Sequence, residues 1–171
     1  MASRLGWFAL GMVGGIVLVC VGAYALVLGG AIPMATSAAP LPFERAMAQL
    51  ALRASVKNSI GLTNPRPRDE TNLMAGARVY QRNCAVCHGL SEAAPTAIAN
   101  GMFPDPPQFF TTRGMMTDDP QGETYWKVTH GIRLSGMPGF ERTLSDAERW
   151  QVTLVIANAD KLPTTVQAAL R

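Results

Sequence analysis

Residues 84–89 of this 171-residue chain are Cys84-Ala85-Val86-Cys87-His88-Gly89. Two cysteines separated by two residues and followed directly by histidine form the C-x-x-C-H pattern of covalent haem c attachment. On a helical turn, Cys84 and Cys87 project to the same side, where both sulfurs can form thioethers with one porphyrin. His88 follows four residues after Cys84, so its imidazole can reach the iron as an axial ligand. The pattern predicts one covalently bound haem c.

Two other chemistries also use closely spaced cysteines. A structural zinc site needs four ligands, but outside the apolar amino-terminal segment the sequence offers Cys84, Cys87, His88 and one distant histidine, His130. A thioredoxin-like redox pair is surrounded by strands, and the sequence shows no alternating strand pattern. A simple disulfide leaves the adjacent histidine unexplained. Haem attachment is therefore the favoured interpretation.

The second axial ligand is predicted at Met137. Glycine before it lets the backbone approach the haem, and proline after it directs the loop that presents the sulfur. Four of the nine methionines have ordinary explanations in a helix, the linker or the apolar segment, namely Met12, Met34, Met47 and Met74. Three loop methionines remain as minor candidates, namely Met102, Met115 and Met116. His130 lies at a predicted helix end. There it is expected to cap carbonyls, contact a propionate or face solvent, and not to ligate the iron.

The amino-terminal segment is apolar. No charged residue occurs between Arg4 and Glu44, and residues 5–32 exceed the roughly 20 residues that cross a hydrocarbon core. We therefore predict a transmembrane anchor over residues 1–32, with a cleaved signal peptide as the alternative. The positive charge of Arg4 places the amino terminus in the cytoplasm and the remainder in the periplasm of a bacterial inner membrane.

Residues 33–69 are predicted to form a linker with a juxtamembrane helix, and residues 70–171 to form the haem domain. One helical stripe collects apolar residues of the juxtamembrane segment, namely Phe43, Met47, Leu50 and Ala54. Such a stripe lies on the bilayer or packs on the domain or on a partner subunit. Packing is the more frequent outcome.

The haem domain is predicted to be all-α. Helices are expected over residues 72–83, 120–129 and 145–160. Each expected helix begins with a capping signal: Thr71 or Asn72, Asp119 followed by Pro120, and the capping box Ser145–Glu148. Residues 89–118 are rich in proline and glycine and should form a long irregular loop, which a compact domain tolerates when a large cofactor lies beneath it.

With these features the chain resembles the small monohaem c-type cytochromes, including the domains carried by oxidase and dehydrogenase subunits. The resemblance covers about residues 72–162. It rests on the CAVCHG and GMPGF segments, at 84–89 and 136–140, and on Gly76 and Tyr80 before the motif. It implies an all-α cytochrome c fold around one haem, preceded here by a single transmembrane helix.

The resemblance also implies specific contacts. In that family a glycine and an aromatic residue let the first helix cross the last, so Gly76 and Tyr80 should meet Trp150 and Leu154. A proline carbonyl in that family accepts a hydrogen bond from the proximal histidine. The candidates for this proline are Pro95, Pro104, Pro106 and Pro107, with the 104–107 group favoured.

Charge and ligation limit the function. The chain has fifteen Lys and Arg residues against twelve Asp and Glu residues, and its basic residues are not clustered. No nucleic acid is therefore expected as a partner. A haem closed on both axial sides leaves no open position for substrate, which predicts an electron carrier and not an enzyme. The resemblance implies redox partners such as a quinol-oxidising complex, a terminal oxidase or a dehydrogenase. The alternatives are a permanent subunit of such a complex, and an enzyme or gas sensor with a labile sixth ligand.

Overall fold

The structure is a computed structural model that describes residues 2–111 and 119–171. The chain divides into two compact units, Met1–Pro42 and Phe43–Arg171. Eight helices account for the regular structure of the described residues, and no strand occurs among them. The prediction of an all-α fold is confirmed.

The amino-terminal unit is built around helix α1, Ala2–Leu28. Within its segment Arg4–Leu28 an 18-residue stretch has a mean hydropathy of 2.3, so the helix is long and apolar enough to cross a membrane. The helix ends before the apolar stretch does, because Gly30 adopts a left-handed conformation with φ of +70°.

The second unit begins with helix α2, Glu44–Val56, at the place predicted for a juxtamembrane helix. Its carboxyl end packs on the unit, since Val56 is buried. The predicted stripe, however, is exposed along its whole length. Of the three predicted outcomes, packing of the stripe on the domain is therefore wrong, because a different face of the helix makes the contact.

Six further helices complete this unit. They are α3 Glu70–Asn83, α4 Ala85–His88, α5 Ala97–Asn100, α6 Gln121–His130, α7 Asp146–Ile156 and α8 Thr164–Ala169. The short helices α5 and α8 were not predicted from the sequence, and α7 ends four residues before the predicted boundary. Apart from α5, residues 89–111 are irregular as predicted.

The capping predictions had mixed outcomes. Ser145 and Glu148 form the predicted capping box at the start of α7. The N-cap of α3 is Asp69, whose carboxylate accepts from the Asn72 N–H at 2.8 Å, so the prediction of Thr71 or Asn72 is wrong.

The N-cap of α6 is Pro120 and not Asp119. Asp119 instead lies 3.3 Å from the Lys127 ammonium group, a partner two turns along the helix. An ion pair therefore replaces the predicted cap.

Helices α3 and α7 cross at Gly76, as the resemblance implied. A Cβ atom at this position would lie 2.1 Å from the Gln151 carbonyl oxygen and 2.8 Å from Val155 Cγ2. The nearest atoms thus belong to Gln151 and Val155 and not to the expected Trp150 and Leu154. These two partners lie four residues apart on one face of α7.

Trp150 also packs against helix α6. Its ring stacks on Tyr125 of α6, with centroids 3.9 Å apart and an interplanar angle of 12°. Together α3, α6 and α7 enclose a core in which Ala77, Val152 and Val155 are fully buried. These helices provide the frame that holds the segment around residue 84.

Gly76→Ala should lower the free energy of unfolding by about 3 kcal/mol, because the added Cβ meets the backbone of α7. Gly61→Ala is the matched control. A Cβ at Gly61 meets no atom within 4 Å, so the change should be less than about 0.5 kcal/mol. Guanidinium unfolding of the detergent-solubilised protein, followed by far-ultraviolet circular dichroism, measures both values. Equal losses would contradict a close crossing at Gly76.

Candidate haem site

The cysteine motif forms one short helical turn. The Cys84 carbonyl accepts hydrogen bonds from the N–H groups of Cys87, at 3.1 Å, and His88, at 2.9 Å. This turn brings Cys84, Cys87 and His88 to the wall of one cavity. Both thiols are free. Burial raises the pKa of Cys84 to about 12, so this thiol is protonated at neutral pH.

The carbonyl groups of the turn are held by side chains from other segments. The hydrogen bonds are Thr96 Oγ1 to Val86 O at 2.6 Å, Gln108 Nε2 to Cys87 O at 2.9 Å, and Tyr80 Oη to His88 O at 3.0 Å and Gly89 O at 2.8 Å. A helix of four residues satisfies few of its own carbonyls. Contacts from α3, from α5's N-cap and from the following loop therefore fix the orientation of the turn.

The His88 ring is oriented by a backbone carbonyl. Its Nδ1 lies 2.8 Å from Pro107 O, and because a carbonyl can only accept, Nδ1 carries the proton and Nε2 retains a lone pair. The ring also stacks on Phe109, with centroids 4.6 Å apart. Burial lowers the pKa of His88, against the opposing effect of the Pro107 hydrogen bond, so the imidazole is neutral at pH 7. The orienting proline lies in the 104–107 group, as expected.

The cavity has a volume of about 270 Å³ and walls that are mostly apolar. Besides the motif, its lining includes Phe109, Val128, Phe140 and Ile156. Helix α2 contributes Leu52, which the sequence analysis did not assign to the site. The space is thus enclosed by the juxtamembrane helix, by the loop that follows the motif and by the core helices.

Met137 lies in another part of the same wall. Its carbonyl accepts a hydrogen bond from the Ile132 N–H at 3.1 Å, which closes a short loop. Gly136 adopts a φ of +78°, a conformation that favours glycine. Glycine is therefore needed here for the turn itself, in addition to the close approach inferred from the sequence. The Met137 side chain is half-buried and lines the cavity.

Residues 71–154 match the family model described as cytochrome c oxidase, cbb3-type, subunit III. These residues form a c-type cytochrome domain. Among solved structures, a chain of the reducing HAO-like protein complex of Kuenenia stuttgartiensis is similar, with a TM-score of 0.48 and 26% sequence identity. That match covers 58% of this chain and 48% of the other, about half of its length. None of the curated proteins matches the chain.

The residues around the cavity fit a haem c. Two free thiols, a neutral imidazole with an available Nε2 and apolar walls are the groups that such a cofactor requires. Haem-based electron transfer is the chemistry of a cytochrome c domain. The donor set of this cavity is therefore consistent with the family match.

The other candidate ligands lie in different places. Met102 also lines the cavity, so two methionines contribute to its wall. His130 is exposed and does not contribute to the cavity wall as far as the described residues define it. Its ring lies beside Trp126, with centroids 5.0 Å apart. Met115 and Met116 lie outside the described residues.

Sequence reasoning did not find the residues that hold the motif's carbonyls. The sequence places Tyr80 at the helix crossing. Its hydroxyl also bonds to the end of the attachment turn, which is the helical turn of residues 84–88 and its cap Gly89. Thr96 and Gln108 lie in a loop without periodicity, where a single polar residue carries no positional signal. The Thr96 side chain also caps α5, and this local pattern is the one sequence feature that points to its role.

Tyr80→Phe should destabilise the cytochrome domain by about 2 kcal/mol, because it leaves two carbonyls near residue 88 without their donor. Tyr125→Phe removes a hydroxyl that donates to the exposed Asp146 carboxylate and accepts from Arg149 Nη2. Because Arg149 keeps its bonds to Glu141 O and Leu144 O, the change should cost less than about 1 kcal/mol. Guanidinium unfolding of both variants compares the losses. A larger loss in Tyr125→Phe would contradict the assigned role of Tyr80.

Proposed function

We propose that this chain carries single electrons through one haem c, bonded to Cys84 and Cys87 and ligated by His88 and Met137. The observation that carries this proposal is the shared cavity. Cys84, Cys87, His88 and Met137 all line the same apolar space. The motif and Met137, more than forty residues apart in sequence, therefore line one cavity, and this supports a shared haem site.

The chain's own residues prepare this site. Haem c supplies an iron that gains and loses one electron. The Pro107 carbonyl holds the proton on His88 Nδ1, so Nε2 is the nitrogen available for ligation. A Met137 thioether is a soft neutral ligand that favours the ferrous state and raises the reduction potential. With His88 and Met137 both holding the iron, no coordination position would be left for substrate, which supports a carrier over an enzyme.

The proposed location is the periplasmic side of a bacterial inner membrane. Helix α1 is long and apolar enough to serve as a single-pass anchor, and Arg4 favours a cytoplasmic amino terminus. In functional terms we divide the chain into an anchor over residues 1–32, a connecting region over 33–69 and a cytochrome domain over 70–171. Partners would be redox proteins, namely a quinol-oxidising complex, a terminal oxidase or a dehydrogenase.

A second candidate function is that of a permanent subunit. The matching family model is described as a subunit of a cytochrome c oxidase, which favours a fixed place in a larger complex. Purification from native membranes distinguishes the two functions. A tethered shuttle should run alone at a mass near 18.3 kDa plus haem and detergent, whereas a subunit should retain stoichiometric companions.

Covalent attachment can be tested by acid–acetone extraction of protein that was matured in an exporting host. The unmodified protein should keep its haem, because two thioethers survive denaturation. Cys84→Ala and Cys87→Ala should each weaken retention, and the double variant should release the haem. Cys20→Ala is the matched control and should behave like the unmodified protein. Extractable haem in the unmodified protein would end the haem c proposal.

Met137→Ala should open the iron to carbon monoxide in the reduced protein. In the ferric protein the same change should remove the weak far-red charge-transfer band expected of the His/Met family. Two controls separate the candidates, since Met102→Ala tests the other thioether of the cavity and His130→Ala tests the exposed imidazole. Both controls should keep the band and exclude carbon monoxide. Survival of the band in Met137→Ala would move the ligand to another methionine.

A further inference from the structure

Helix α2 presents an apolar face to solvent. Phe43, Met47 and Leu50 are 81%, 63% and 63% exposed. With 3.6 residues per turn, Met47, Leu50 and Ala54 lie on one side of the helix, and Phe43 is the residue directly before its first turn. Scattered single apolar residues are normal on a surface, but a continuous stripe indicates a contact.

Contacts on the opposite side of α2 keep this apolar face turned to solvent. Leu52 and Val56 lie about half a turn away from the stripe and face the cavity and the core. The turn after α2 packs closely on α6, because a Cβ at Gly122 would lie 1.8 Å from Ser59 O. The Arg45 guanidinium, 5.5 Å from the Phe103 ring centroid, adds a contact near the start of the helix. The stripe therefore cannot turn inward without breaking these contacts.

The position of α2 along the chain favours a lipid surface as the occupant. The candidate membrane span ends at Leu28, and α2 begins at Glu44. Residues 29–43 join them and reach at most about 50 Å when fully extended, so the start of α2 lies within about 50 Å of the end of the span. Arg53 and Lys57 are exposed beside the stripe and suit anionic headgroups. Apolar residues with flanking basic ones are typical of helices that lie in the interface.

We propose that Phe43, Met47 and Leu50 insert into the headgroup region of the bilayer, so that α2 lies flat on the membrane. Because Leu52 lines the cavity on the other side of the helix, this places the haem site about one helix diameter, roughly 10 Å, from the membrane surface. The domain would then be held in one orientation and would not swing freely on its linker. This inference rests on the proposed anchoring by α1.

The test is cysteine accessibility in the full-length, haem-loaded chain. All variants are made in a Cys20→Ala background. Leu50→Cys and Met47→Cys place a thiol on the stripe, and Ala48→Cys places one at an exposed position of the same helix that lies off the stripe. The purified protein is reconstituted into vesicles of mixed zwitterionic and anionic phospholipid. The rate of modification by a membrane-impermeant maleimide should be about ten-fold lower at positions 47 and 50 than at position 48. The Ala48→Cys sample also reports the fraction of domains that face outward.

Equal rates at all three positions, in chains that resist alkaline carbonate extraction, would overturn the proposal. Protection of position 50 in native membranes but not in vesicles of the purified protein would also overturn it, since a protein partner would then cover the stripe. Release of the chain by carbonate is a separate result, because it would refute the anchoring by α1. Circular dichroism and haem absorbance should match the unmodified protein, as all three substitutions are on exposed positions.

Discussion

The position of His88 depends on side chains that donate to the backbone carbonyls of its own short helix, because that helix cannot satisfy them itself. A helix of four residues makes few internal hydrogen bonds and has no stability of its own. Thr96, Gln108 and Tyr80 supply the missing donors, each from a different segment. The direction of the candidate ligand is thus set by the surrounding fold, and the attachment turn takes its shape from contacts made elsewhere.

The helix crossing at Gly76 is the start of this chain of contacts. The close approach of α3 to α7 lets Tyr80, one turn further along, become fully buried. There its ring packs edge-on against Phe110, with centroids 5.0 Å apart, and its hydroxyl reaches the attachment turn. A substitution at Gly76 would therefore act on the site through α3 and Tyr80, without touching the cavity. The packing of α3 on α7 and the position of His88 are therefore coupled through Tyr80.

The juxtamembrane helix has a larger part in the site than its position before the domain indicates. Leu52 lines the cavity, and residues after α2 are bonded to the core: Asn64 Nδ2 donates to Trp150 O at 3.1 Å, and Arg68 Nε donates to Asn158 Oδ1 at 2.7 Å. These bonds tie the region between anchor and domain to α7 and to the turn that follows it. Removal of the residues before 70 would therefore open one wall of the cavity.

Features that depend on neighbours in sequence could be predicted from the sequence alone. The spacing of Cys84, Cys87 and His88, the capping box at Ser145 and the apolar α1 are local patterns, because a helical turn converts spacing directly into position. Only the tertiary structure decided which proline faces His88, that Met137 and Met102 share the cavity, and that the α2 stripe is exposed. These features depend on distances between remote segments, and such distances follow from how α3 and α7 pack and not from any one stretch of residues.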